Sequence, residues 1–185
     1  MTETAVSQST RQAVIGLAGW SGSGKTTLVT QLLPLLVGRG LRVSTLKHAH
    51  HSFDVDRPGK DSHRHREAGA AQVLISSEAR WALMQENRGA PEPDSRTLLA
   101  KLDPVDLVIV EGFKRDAHEK IEVYRPSLGK PPLWPGDPTI VAVACDADLP
   151  DCPRPQLALN RVDLIADFLI THCRLTLPEA AAWPS

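Results

Sequence analysis

Nowhere in these 185 residues does an apolar run approach the roughly 20 positions that a membrane-spanning helix needs, so no membrane role is expected. Cysteine is scarce and unpatterned. Cys145, Cys152 and Cys173 show no C-x-x-C spacing, and an odd count argues against a full disulfide framework. A reducing, cytoplasmic setting is the simplest context for such a chain. Neither sign of charge is in surplus. The 21 Lys and Arg face 22 Asp and Glu, a net charge of −1, which leaves no global field for nucleic acid or an anionic membrane. The opening "MTETAVSQSTRQ" has no apolar core of the kind a signal peptide carries, and residues 1–11 are expected to form a disordered lead-in.

What is present suits one α/β domain over residues 12–173, followed by a loose tail, 174–185, in which Trp183 could dock. Apolar residues make up 42% and charged residues 23%, enough for one sizeable core. "QAVIGLAG" (12–19) predicts a buried strand. "KTTLVTQLLPLLVGRG" (25–40) predicts a helix whose leucines at 28, 32, 35 and 36 share one face, kinked at Pro34 and stopped by Gly38 and Gly40. "LRVSTLKH" (41–48) completes a βαβ unit with parallel strands. Residues 48–66 read as a long loop entering a short helix, 71–86 as a hairpin, 89–94 as a linker, and 95–102 as a helix capped by Asp94 or Ser95. "VDLVIVEG" (105–112) is apolar enough for a central strand, whereas the alternating "EKIEVYR" (119–125) suggests an outer one. A proline-rich loop (126–138), strands at 139–146 and 156–160, and an amphipathic helix at 161–173 complete the chain. The pattern predicts a P-loop NTPase-like three-layer sandwich with a mostly parallel sheet.

The chemistry begins at "GWSGSGKT" (19–26), which satisfies G-x-x-x-x-G-K-[ST] between a strand and a helix. Gly19, Gly22 and Gly24 let the backbone turn so that successive N–H groups face one anion, with Trp20, Ser21 and Ser23 between them. The following helix adds unpaired N–H groups and the positive end of its dipole. Lys25 supplies a point charge for terminal phosphates, the Thr26 hydroxyl suits Mg²⁺, and Thr27 offers a further hydroxyl. A nucleoside triphosphate is the expected ligand.

P-loop proteins commonly place an acid at the end of a neighbouring parallel strand, near the metal. Glu111 ends "DLVIVEG" there, whereas Asp106 lies at the wrong end and reads as a strand-start residue. Asp54 and Asp56, in the loop after the second strand, fit either a metal or water-positioning role or that of solvated loop acids. Five of the seven histidines, His48, His50, His51, His63 and His65, fall in one stretch. They could bind a transition metal. The interleaved Arg57, Lys60, Arg64 and Arg66 argue instead for a second anion or a partner. "NRVD" (160–163) superficially resembles a guanine-reading motif, but Asn160 directly precedes an amphipathic helix and Asp163 falls at its third position, so capping explains both and the guanine reading is discounted. Residues 145–148 are an equally good place for base contacts, and composition does not choose between ATP and GTP.

Taken together, "GWSGSGKTTL", "LRVSTLKHAHHSFDVDRPGKDSHRHREAGA" and "LVIVEGFK" resemble the MobB family of molybdopterin-guanine dinucleotide biosynthesis adapter proteins over about residues 13–173. The block at 47–70 and "VEGFK" carry more of that resemblance than the P-loop does. It implies a cytoplasmic homodimer that binds GTP and Mg²⁺, with molybdopterin or its guanine dinucleotide as a further ligand. It also implies a weak GTPase at most, working beside the molybdenum cofactor guanylyltransferase and other cofactor-maturation proteins. Residues 19–27 would hold the nucleotide. Lys47, His48, Asp54, Asp56, Lys60, Asp61, Ser62 and Arg64 form the family block, and Glu111, Gly112 and Lys114 the strand-end motif. Lys25, Glu111 and Asp54 are the candidate catalytic groups, Thr26 and Glu111 the candidate metal ligands, and Lys60 and Arg64 candidate cofactor contacts. A small-molecule kinase and a metal-insertion GTPase are the competing expectations.

Overall fold

The structure, a computed structural model, describes residues 12–49, 53–114 and 116–178. The expected lead-in, His50, His51 and Trp183 lie outside the described residues. In chain order the elements are β1 (Ala13–Ala18), α1 (Lys25–Gly38), β2 (Val43–Lys47), α2 (Asp61–Glu67), β3 (Gln72–Ser76), β4 (Trp81–Gln85), α3 (Ser95–Leu99), β5 (Leu107–Glu111), β6 (Lys120–Tyr124), a 3₁₀ turn (Pro126–Leu128), β7 (Ile140–Cys145), β8 (Gln156–Ala158) and α4 (Val162–His172). They divide between two compact units, one of residues up to 48 and from 98 onward, the other of residues between 49 and 97.

The first unit is built on a six-stranded sheet in the order β2-β5-β1-β6-β7-β8, every neighbouring pair parallel. Parallel strands need covered faces, and the sequence supplies them. Leu28, Leu32 and Leu36 of α1 and Ile165, Ala166 and Leu169 of α4 are buried in one cluster with Ile15, Leu17, Leu107, Ile109, Ile121 and Val123 of the sheet. Fully burying each large aliphatic side chain contributes about 1.5–3 kcal/mol, so this cluster carries much of the stability. The helix α1 continues through Pro34 and ends at Gly38. On the sheet's other face, Ile140, Val143 and Cys145 pack with Leu133, Trp134, Leu149 and Cys152 from the loops.

Two sequence expectations need correction here. The strand β6 is not an outer strand; it lies between β1 and β7, with residues 120–123 buried. Its alternation of charge and apolar residues imitated a half-solvated strand because the charges are internally satisfied. Lys120 Nζ donates to Asp116 O at 2.6 Å and Thr139 Oγ1 at 2.6 Å. Glu122, fully buried, accepts from the backbone N–H groups of Leu133 and Trp134 at 2.9–3.0 Å. It thereby fixes the proline-rich loop, and burial pushes its carboxyl above the usual carboxylate range despite those bonds. The second correction concerns α4. Its N-cap is Arg161, with no side-chain cap bond, and Asp163 pairs with Arg161 at 2.7 Å. Capping therefore does not account for Asn160 or Asp163.

The second unit holds α2 and the antiparallel hairpin β3–β4, in register from Gln72 opposite Gln85 to Ser76 opposite Trp81. Asp94 Oδ1 accepts from the Thr97 N–H at 2.7 Å at the start of α3, as expected for a cap.

Candidate functional site

All six strands of the large sheet point the same way, so their C-terminal ends form one edge, where ligands collect in open α/β folds. Register decides which side chains meet there. Leu17 and Lys47 both stand opposite Glu111 across the β1–β5 and β2–β5 ladders. The Lys47 ammonium lies 3.5 Å from Glu111 Oε2. Next door, the chain leaves β1 through Gly19–Gly24 and enters α1.

That passage is possible only with glycine at its corners. Gly19 has φ 141°, and a Cβ there would sit 2.5 Å from the Val123 carbonyl oxygen of β6. Gly24, at φ 100°, is the N-cap of α1, where the Leu28 N–H closes the first helical turn on Gly24 O at 2.9 Å. The N–H groups of the first turn have no intrahelical acceptor and open toward the strand ends. Ser23 Oγ is buried and has no hydrogen-bond partner among the described residues, as fits a loop whose polar ligand comes from outside. Lys25 folds back, donating to Gly19 O at 3.0 Å and Trp20 O at 2.9 Å. Burial holds its ammonium below the ordinary lysine range, against the opposing pull of Glu111.

The Thr26 hydroxyl donates to Glu111 Oε1 at 2.9 Å. A hydroxyl and a carboxylate brought together from α1 and β5 are hard oxygen donors of the kind Mg²⁺ accepts while keeping most of its waters. Gly112 then turns the chain at φ 101°, with the His48 Cβ only 2.6 Å from where its own Cβ would stand. Phe113 follows at φ 47°, its ring centroid 4.8 Å from that of His48. Lys114 lies over the Trp20 ring at 5.2 Å, and Trp20 Nε1 donates to Pro131 O at 2.7 Å.

Sequence reasoning missed Arg125. It follows β6 at the ligand edge, donates from Nε to Ser23 O at 3.0 Å, and pairs with Asp146 just past β7. Its signal was positional: a cation immediately after a strand, on the side where the P-loop opens. Arg125 and Asp146 share with Gly24, Thr27, Gln31 and Asn160 a cavity of about 220 Å³.

The remaining predicted residues belong to the second unit. Asp54 accepts from Arg66 at 2.8 Å and from the Asp56 N–H at 2.9 Å, and these bonds hold its carboxyl below the usual range. Arg66 also bonds Glu86 at 2.7 Å, and Ser62 donates to Asp56 at 2.8 Å. Arg66 is thus an internal clamp rather than an open anion site. Arg64 is exposed and approaches exposed Asp61 at 3.8 Å. Lys60 precedes α2 as its N-cap, also exposed. Among the described residues no group of three or more His, Cys, Asp or Glu side chains is arranged to hold a metal ion, and no helix is long and apolar enough to cross a membrane.

Comparison with known proteins agrees with this architecture. Residues 14–146 match the family described as molybdopterin guanine dinucleotide synthesis protein B, MobB. A molybdopterin-guanine dinucleotide biosynthesis adapter protein of Escherichia coli is 42% identical over 160 residues, 85% of this chain and 91% of the relative. One from Haemophilus influenzae is 44% identical over 159 residues, 84% and 86% of the two chains. Among solved structures, a crystal structure of MobB superposes with a TM-score of 0.67 at 28% identity, covering 86% of this chain and 99% of that one. A MobB homologue from Bacillus stearothermophilus gives 0.63 at 25% identity, covering 87% and 97%. The chain belongs to the MobB family.

Proposed function

We propose that this protein is a GTP-binding adapter in the maturation of molybdenum cofactor, assisting a guanylyltransferase that converts Mo-molybdopterin to molybdopterin guanine dinucleotide. The biosynthetic role follows the names its relatives carry. The observation that supports nucleotide binding most strongly is the grouping of Lys25, Thr26 and Glu111 beside the glycine loop at one sheet edge.

In this reading the N–H groups of residues 19–27 grip the phosphates, and Lys25 exchanges its two carbonyl acceptors for phosphate oxygens. Thr26 and Glu111 hold Mg²⁺, which neutralises phosphate charge when bound. Glu111 is engaged by Thr26 and Lys47, which makes it a poor base for water, so any hydrolysis is slow. The exposed Lys60 and Arg64 are the cofactor- or partner-facing cations, and Arg66 holds Asp54 in an ion pair within the same unit. The adapter acts as a homodimer in the cytoplasm.

Titration calorimetry with GTP and Mg²⁺ tests the site. Lys25→Ala removes a charge-assisted hydrogen bond, so affinity should fall about 10- to 100-fold while the melting temperature holds. Unchanged affinity removes the P-loop from the account.

A further inference from the structure

Three lysines crowd the mouth of the glycine loop, and each is held differently. Lys25 donates to Gly19 O and Trp20 O, which marks that end of the loop as the one terminal phosphates reach. Lys47 lies 3.5 Å from Glu111 Oε2. Lys114, in the turn that follows β5, carries its ammonium 5.2 Å from the centroid of the Trp20 ring. Burial does most to lower the Lys25 pKa and Glu111 opposes it, while the like charges of Lys114 and Lys47 lower it further, so the three ammoniums feel one another. Around Glu111 this is a surplus of positive charge, which a phosphate chain neutralises.

Trp20 joins two of the three. Its carbonyl takes Lys25 and its ring face takes Lys114, while its Nε1–H donates to Pro131 O at 2.7 Å and pins the indole to the proline-rich loop. That loop is itself fixed by Glu122 through the N–H groups of Leu133 and Trp134. The turn that brings Lys114 to the ring is also built. Gly112 at φ 101° and Phe113 at φ 47° place two successive residues in the left-handed region and bend the chain sharply after β5. For phenylalanine that conformation is strained, and the ring contact with His48 holds it. The final contact, by contrast, is weak. An aromatic face holds an exposed ammonium by less than about 5-fold and leaves its charge unneutralised. Lys114 is exposed, on a long flexible stem.

We propose that Lys114 is a second cation for the terminal phosphate, held over Trp20 and drawn onto the γ-phosphate of a bound nucleoside triphosphate. Lys25 leaves Trp20 O for the phosphates of a diphosphate or a triphosphate alike. Only a γ-phosphate extends to the Trp20 end of the loop and takes Lys114 as well. Lys114 therefore selects triphosphate over diphosphate, and Trp20 is the positioning residue that keeps its charge at the loop. This inference rests on the reading of residues 19–27 as the phosphate site, and its test separates the two.

The test compares a non-hydrolysable GTP analogue with GDP, both with Mg²⁺, by calorimetry on wild type, Lys114→Met and Lys114→Arg. Methionine keeps an unbranched side chain and removes the charge. It should weaken analogue binding about 10-fold, the contribution of one hydrogen bond to a charged group. GDP affinity should change by less than about 3-fold, because an exposed charge without direct contact is screened. Lys114→Arg should retain most of the analogue affinity. A second readout needs no variant. The Lys114 methylene protons, lying over the indole, should resonate upfield of ordinary lysine values in wild type. They should return to those values with the analogue and stay upfield with GDP. Equal losses of analogue and GDP in a Lys114→Met protein of unchanged melting temperature, or no loss of either, overturn the assignment and leave the phosphate site standing. Lys114 signals that the analogue does not move do the same. Failure of wild type to bind either nucleotide overturns the phosphate site and this inference together.

Discussion

Glu122 shows how far a single residue can mislead and then inform. In the sequence it is one charge among alternating positions; in the fold it is a buried carboxyl that takes three backbone contacts from residues 133 and 134. Burial raises its pKa, so the folded chain holds a proton that the unfolded chain has already released over a window above the usual carboxylate value. The unfolded state binds fewer protons there, and stability contributed by this group is lost as pH rises through its folded pKa. Glu122→Gln has no such titration. Denaturant unfolding of both proteins between about pH 4 and 8 should therefore show the variant gaining stability relative to wild type as pH increases. A difference that stays flat with pH would mean that the carboxyl titrates normally. The same scale explains what was unreadable beforehand. Arg125 is one arginine among many until β6 is known to end beside the P-loop, and Asn160 looked like a cap because capping residues and cavity residues share one chemistry.

At the scale of elements, the strand–loop–helix of residues 13–38 was legible because each part had a local cause: apolar residues, then glycines, then leucines at helical spacing. The Asp94 cap was legible for the same reason. Strand order was not, since it depends on which apolar faces find each other. The strand β5 separates β2 from β1, and β6 moves from the predicted outside to the interior. Where β5 ends, packing against β2 leaves no room for a side chain. A Cβ on Gly112 would meet His48 Cβ at 2.6 Å, and the positive φ adds strain for any L-residue. Gly112→Ala should cost about 2 kcal/mol or more and shift Glu111 away from Thr26. Chemical denaturation reads the first effect. The second should appear as weakened Mg²⁺-dependent GTP binding measured well below the melting temperature. An alanine variant as stable as wild type would show that this turn relaxes freely.

At the scale of the molecule, the large sheet gathers Lys47, Gly19, Glu111, Arg125, Asp146 and Asn160 along one edge because all its strands run parallel. Residues far apart in sequence become neighbours there, which no local pattern announces. The residues between 49 and 97 make their own compact unit, knit by Arg66 to Asp54 and Glu86, and they carry much of the sequence block that marks the family. The account depends on the glycine loop being where a triphosphate lands. Amide resonances report this directly. Titrating GTP and Mg²⁺ into isotopically labelled protein should move the N–H signals of residues 22–27 first and most, with smaller shifts at Glu111, Arg125 and Asp146. Signals at 22–27 that stay fixed while GTP binds elsewhere, or does not bind at all, would contradict it.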